Sequence, residues 1–368
     1  MGVRSSQPRG PGFHKTDGHL IKYFRDFSFG AGGGSSQPIP PAGISATGGT
    51  QVGPGGAGTA LEPGDGYAYH FFTASSTPGF DVSAVTGSGI IEYVLVAGGG
   101  GGGGYSDPYG YWAGGAGTNT VLTSPSAPET STAFGGGSDS PLKNGGSGSG
   151  DNGTAFGFGL NPSTPAPVIA AFPGYVPGTT QGFPGGGDSA RAGGGGGAGE
   201  PGLGAGPGDK LTMGKGGDGI PIDNNFSFTI PTDYGTPHPS QPGRWFAGGG
   251  GGGGGTPYSE GAGGIGGGGH GIVNPRSGVA VGDQQLSPGV STDTRATENT
   301  GGGGGSHGTA PPVSTGYGGG GAGGVVDGSI TVSATAYPIT IGSGGSGSPG
   351  PVPYSNGGSG IAIIRYLA

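Results

Sequence analysis

Residues 92–110 read EYVLVAGGGGGGGYSDPYG, and residues 243–261 read GRWFAGGGGGGGGTPYSEG. In both, an apolar or aromatic run passes through an alanine into an unbroken glycine block, and Tyr and Pro follow. Glycine buries no side chain and loses more backbone freedom on ordering than any other residue. Seven or eight in a row are therefore unsuited to an α-helix or an ordinary strand. Two states remain. One is a flexible linker; the other is the extended threefold helix of polyglycine II, close in geometry to polyproline II at about 3.1 Å per residue. Alone, such a helix has no internal hydrogen bonds. Packed side by side, several can exchange N–H···O=C bonds because no Cβ separates them, with Cα–H···O contacts adding about 0.5–1 kcal/mol each. Linkers are usually interspersed with Ser, whereas these blocks follow LVA and WFA directly, so the packed bundle is the favoured reading. It predicts pure glycine inside, and side chains on one residue in three at outer positions. GAGGIGG (261–267), with Ala262 and Ile265 three apart, fits an outer position.

Further glycine blocks lie at 193–197, 266–269, 301–305 and 318–321. On either side of the glycine-rich region are short runs of β-branched and aromatic residues bounded by turn formers: 67–75, 90–97, 328–334, 337–342 and 361–368. The stretches 156–183 and 220–245 carry too much Pro to be helical. The expected fold is mostly irregular and all-β, with little α-helix. Strands near 67–97 and 328–368 form a small β base, and 98–327 form a polyglycine II bundle with long Pro- and aromatic-rich loops.

Ahead of this region, residues 30–66 mix Pro and Gly without periodicity and read as a linker or an extended crossover. Residues 1–29 differ again, with the bases Arg4, Arg9, Lys15, Lys22 and Arg25 against the acids Asp17 and Asp26, in a chain of formal net charge −8. Leu20, Tyr23, Phe24 and Phe27 recur at helical spacing between Asp17 and Gly30, which predicts one short amphipathic helix. A helix this short is not stable alone, so its apolar face docks on a partner or folds back onto its own chain.

Composition removes several classes. The chain holds 104 Gly and 34 Pro in 368 residues, 30% hydrophobic and 9% charged residues, where a globular domain carries about 25% charged. An enzyme built around one large apolar core does not fit. Collagen needs glycine at every third position, not in blocks. Disorder by charge repulsion goes with few aromatics, whereas this chain has 14 Tyr, 15 Phe and 2 Trp. Without Cys there is no disulfide framework. No apolar run is long enough to predict membrane insertion, and the N-terminus lacks a signal peptide's apolar stretch.

Chemistry-bearing motifs are weak. Glycine blocks match G-x-G-x-x-G trivially, no helix-forming sequence follows them, and MGKGGDG (213–219) lacks the Ser or Thr that would hold Mg²⁺. No nucleotide or other cofactor is expected, and no nucleic acid. His14, His19, His70, His238, His270 and His307 show no metal-ligand spacing and read as loop or surface residues. The acids Asp107, Asp188, Glu200, Asp218, Asp223 and Asp283 are scattered through loops, so a carboxylate pair of glycosidase type cannot be assembled from sequence. The expectation is a non-enzyme. Aromatic side chains are the better lead, because rings are over-represented in binding hot spots. Tyr105, Tyr109, Tyr111 and Trp112 follow the first block, and Tyr258 follows the long one. They either face a partner or close the end of the bundle. Trp245 and Phe246, directly before a block, are expected to wedge into it.

YAYHFFTASS (67–76), IEYVLVAGGGGGGG (91–104), WFAGGGGGGGG (245–255) and the ending GGSGIAIIRY (357–366) together resemble the glycine-rich-domain proteins of tailed bacteriophages, found among tail-fibre, adhesin and other virion fibre proteins. The resemblance covers roughly residues 67–368. It implies a virion structural protein on the outside of the particle, with loops at the distal end of a polyglycine sandwich recognising a protein or glycan of the host surface. On that basis Leu20, Tyr23, Phe24 and Phe27 become the virion anchor, contacting other virion proteins. Tyr105, Tyr109, Tyr111, Trp112 and Tyr258 become candidate receptor-loop residues. A homotrimer is implied by fibre relatives and a single chain by adhesin tips. A non-adhesive capsid or neck decoration protein, an ice-binding or matrix protein and a polysaccharide depolymerase stay open as alternatives.

Overall fold

The computed structural model describes residues 43–53, 66–106, 110–125, 130–138, 145–150, 181–187, 192–204, 214–223, 228–253, 261–274, 294–309, 317–347 and 355–367, all within the unit Ala42–Ala368. The proposed amphipathic helix, with Leu20, Tyr23, Phe24 and Phe27, lies outside the described residues, as do Tyr109 and Tyr258. Among the described residues helix is confined to a turn at Ile222 and Asp223; the rest is strand and irregular backbone.

Two five-stranded antiparallel sheets face each other. The first contains β1 (Ile44–Thr47), β4 (Ser76–Val85), β16 (Ala336–Thr340), β8 (Thr120–Thr123) and β9 (Thr130–Ala133), in that spatial order. The second runs β15 (Val325–Thr331), β5 (Ile90–Val96), β17 (Ile361–Leu367), β3 (Tyr67–Phe72), β2 (Thr50–Val52). Between them lies a core that includes Phe72, Phe80, Ile91, Tyr93, Leu95, Leu122, Tyr337, Ile339, Ile364 and Tyr366. The Tyr93 hydroxyl crosses it to Ser131 Oγ at 2.5 Å.

The second sheet is covered on both faces, which explains why its strands read as nearly continuous apolar runs. In β5, Ile91, Tyr93 and Leu95 face the first sheet. Val94 and Val96 face a second core with Ile220, Ile222, Phe228, Ile230 and Phe246. Among the described residues the first sheet is covered on the face towards the second, and its strands alternate accordingly: Tyr337 and Ile339 are buried, Pro338 and Thr340 exposed.

The end strands do form a β base, and it is larger than expected. Residues 44–52, read as part of a linker or crossover, are two strands. β1 belongs to one sheet and β2 to the other, joined by Gly48 and Gly49 in the left-handed region, φ 110° and 61°. β8 (TVLT) and β9 (TSTA) also join the base, out of the stretch assigned wholly to the bundle. Thr supplies β propensity in both with few apolar residues to announce it.

The glycine blocks pack as a bundle held by lateral hydrogen bonds with a threefold rhythm. Gly98 and Gly101 donate to Thr118 and Gly115, Gly99 and Gly102 to Gly358 and Ser355, and Gly100 and Gly103 to Gly321 and Gly318. In each pair the acceptor number falls by three as the donor number rises by three, so those neighbours run antiparallel. The same block accepts from Gly136, Gly345 and Gly304, which makes six neighbours around 98–103. Block 248–253 repeats the pattern. It donates to the segments at 266–269, 214–217 and 317–320, and accepts from 195–198, 303–306 and 261–264.

Side chains have no room within block 98–103. An ideal Cβ on Gly98 would sit 2.0 Å from the Ser343 carbonyl oxygen, on Gly99 1.9 Å from that of Gly302, and on Gly100 2.0 Å from that of Gly137. Outer helices carry side chains every third residue. Ala262 and Ile265 are half-buried, Ser343 and Ser346 are exposed, and Lys215 pairs with Asp218 at 2.8 Å.

Gly251→Val places its Cβ where only 1.9 Å separates it from the Gly261 carbonyl oxygen. The expected cost is about 3 kcal/mol or more in denaturant unfolding, at the upper end for an overpacked interior. Ala262→Val, on an outer helix, is expected to cost well under 1 kcal/mol. Equal stability of the two variants would contradict interior packing at Gly251.

Candidate functional site at the distal end of the bundle

Six residues at about 3.1 Å each carry the chain on the order of 20 Å away from the sandwich. Glycines 98–103 leave the end of β5 and lead into β6 (Gly104–Ser106); β7 (Gly110–Trp112) turns back, and 114–118 return to β8. The β6–β7 hairpin therefore stands at the end of the bundle away from the sheets. Its register sets Tyr105 opposite Tyr111, Gly104 opposite Trp112 and Ser106 opposite Gly110.

Two other ascending helices arrive beside it. Residues 268–271 lead into β13 (Ile272–Asn274), and 302–306 lead into β14 (His307–Thr309). Because both chains climb in the same direction, β13 and β14 pair in parallel. β14 packs against β6, and the His307 N–H donates to the Gly103 carbonyl at 3.0 Å. Ser306 Oγ accepts from the Gly253 N–H at 2.6 Å and donates to the Tyr317 carbonyl.

Of the sequence-predicted site residues, the structure brings Tyr105, Tyr111 and Trp112 together on one hairpin. Sequence reading missed β13 and β14, whose pairing joins segments more than thirty residues apart and leaves no local pattern.

The opposite end of the sandwich is where the described chain begins. Gly43 exchanges hydrogen bonds with Thr86, and Ile44 pairs with Val85 at the end of β4 remote from the bundle. At the same end Ile90 opens β5 and Leu367 closes β17, 50% and 55% exposed. Close by, Arg365 Nε donates to Glu92 Oε2 at 2.6 Å, with its guanidinium 4.4 Å from the Tyr67 ring and 4.1 Å from that of Phe228. Burial opposes its charge, but hydrogen bonds to Tyr69 and Glu92 outweigh it and hold the pKa above its ordinary value.

Among the described residues, Asp218, Asp223 and His238 serve the fold. Asp218 pairs with Lys215 and accepts the Ile265 N–H, while Asp223 accepts the Arg244 N–H on both oxygens. His238 Nδ1 accepts the N–H groups of Ser240 and Gln241, with its ring 4.7 Å from that of Trp245. Phe246 is fully buried in the core beside the second sheet and Trp245 nearly so. His70 departs from the expected loop or surface position, lying 1% exposed between the two sheets. Among the described residues no cluster of His, Asp or Glu could hold a metal ion, and no helix is long and apolar enough to cross a membrane. No family model, curated protein or solved structure matches this chain.

Replacing residues 104–112 with a short Gly-Ser turn removes the hairpin and leaves the six-neighbour packing of 98–102 in place. The melting temperature is expected to fall by no more than about 3 °C, the shift that roughly 2 kcal/mol produces in a chain of this size. A collapse of more than about 10 °C would show the hairpin to be a keystone of the bundle and not a terminal appendage.

Proposed function

We propose that this chain is a non-enzymatic virion fibre or adhesin protein: residues 1–29 attach it to the particle, the β-sandwich is its base, and the polyglycine bundle carries the distal hairpin to the host surface. The observation that carries the reading is the polarity of the unit Ala42–Ala368. The chain enters the sandwich at Gly43 and Ile44, at one end, while the β6–β7 hairpin with Tyr105, Tyr111 and Trp112 stands beyond the other. A rigid spacer that holds a terminal hairpin away from the base at which the chain enters is what a host-binding fibre requires. The resemblance of residues 67–368 to glycine-rich-domain phage proteins points the same way.

One chain supplies all six neighbours of 98–103, so closing the bundle needs no segment from a second copy. The structural employment of Asp218 and Asp223 favours binding over hydrolysis. The partner is a host-surface protein or glycan, for which aromatic residues supply stacking and hot-spot contacts.

Two variants test the two ends separately. A chain lacking residues 1–29 is expected to fold and to be missing from purified particles; normal incorporation would overturn the attachment assignment. The full chain with 104–112 replaced is expected to be incorporated, with cell adsorption weakened at least about tenfold, the loss of roughly 1.4 kcal/mol. Unchanged adsorption would overturn host recognition by the hairpin and favour a capsid or neck decoration protein.

A further inference from the structure

The corner at which the chain joins the sandwich is fastened by an unusual group. His70, in β3, sits between the two sheets with its ring edge-on to Phe80 of β4 at 5.0 Å, near-parallel to Phe72 at 6.4 Å and 5.6 Å from Tyr366 of β17. Its Nδ1 lies 2.7 Å from the carbonyl oxygen of Gly48, in the turn between β1 and β2. A carbonyl can only accept, so Nδ1 carries the proton and Nε2 is the bare nitrogen. Nε2 in turn lies 3.2 Å from the Tyr366 hydroxyl, which donates to it. The Tyr366 oxygen accepts a backbone hydrogen bond from Ala46, in β1.

A closed relay results: Ala46 to Tyr366, Tyr366 to His70, His70 to Gly48. It ties both sides of the β1–β2 corner to the middle of the sandwich. Gly48 lies close against β4: a Cβ there would sit 2.0 Å from the Gly79 carbonyl oxygen.

We propose that this relay is an acid-sensitive latch: protonation of His70 releases the β1–β2 corner, residues 44–52, while the rest of the sandwich stays folded. A proton arriving on Nε2 displaces the Tyr366 O–H bond and puts a full positive charge among Phe72, Phe80 and Tyr366. The groups facing the ring are the Gly48 carbonyl from the corner, Phe80 from β4 and the Tyr366 hydroxyl from β17. Tyr366 is the titratable one among them, and burial raises its pKa, so it stays neutral throughout the acid range. Among the described residues no carboxylate stands against the ring to compensate the charge.

The sign follows. Burial pushes the His70 pKa below its ordinary value, against a smaller opposing effect of the Gly48 carbonyl. An opened corner returns His70 to about 6.5. Below about pH 6.5 the open form binds a proton that the closed form refuses, so closure weakens as pH falls, until the pH reaches the depressed value of the closed state. Above about pH 6.5 the latch is fully closed.

The test is hydrogen–deuterium exchange of the full chain from pH 8 to pH 4.5, corrected for the intrinsic pH dependence of amide exchange. The peptide covering 44–52 is expected to open about tenfold more readily for each pH unit below about 6.5, as uptake of one proton requires. Peptides covering β5 and β17 are expected to keep their protection. In His70→Phe, which keeps the ring and removes the titration, the 44–52 response is expected to be flat. Should that variant not fold, Tyr366→Phe decides: it removes the donor to Nε2, lifts the His70 pKa towards ordinary and ends the response at a higher pH. A flat response in the unaltered protein, opening of the whole sandwich at once, a response that survives His70→Phe, or an unshifted window in Tyr366→Phe would each overturn the latch.

Discussion

The structure depends on the approach of one backbone to another at distances that leave no space for a Cβ. Across the interior blocks a methyl group would meet a neighbouring carbonyl oxygen at about 2 Å, as at Gly98, Gly195, Gly250 and Gly303. That approach allows N–H···O=C bonds to leave each helix in three directions in turn, and it explains why the blocks 98–103 and 248–253 are pure glycine. Where a helix has an open side, residue types reappear with a period of three: Ala262 and Ile265, Lys215 and Asp218, Ser343 and Ser346. Sequence pattern, steric exclusion and hydrogen-bond rhythm are thus one constraint seen at three levels.

The energetics explain why a sandwich accompanies the bundle. Ordering a residue's backbone costs about 1–2 kcal/mol, and glycine stands at the expensive end. One hydrogen bond per residue returns about 0.5–1.5 kcal/mol net, and Cα–H···O contacts about 0.5–1 kcal/mol each. The bundle gains little surplus by itself, so its ends have to be held in place. The sandwich holds them: β5 runs directly into 98–103, and the neighbouring segment 317–324 descends directly into β15. The fully buried Thr120 fastens that junction, donating to the Val96 carbonyl at 2.8 Å and accepting the Gly342 N–H at 2.9 Å.

Much of this was legible in the sequence because glycine blocks have few physical solutions and because β3, β5 and β17 are dense in apolar and aromatic residues. What escaped reading had little local signal. β8 and β9 are short and Thr-rich, and β4 carries Pro78 and Gly79, turn formers that here accompany a shift of register against β16. β1 and β2 hide within a Pro- and Gly-rich stretch. His70 looked like a surface residue because nothing around it in sequence announces that Gly48 and Tyr366, far apart along the chain, supply its two hydrogen-bond partners. At the distal end the aromatic cluster could be found from its place after a glycine block, while the β13–β14 ladder arises only from tertiary proximity.

Residue-resolved amide exchange in the blocks 98–103 and 248–253 tests the whole arrangement most directly. The lateral hydrogen bonds require these glycine amides to exchange orders of magnitude more slowly than in a short glycine peptide, approaching the protection of the core strands β5 and β17. Exchange at free-peptide rates would mean that the blocks are unpaired in water, and the packed bundle would have to be abandoned.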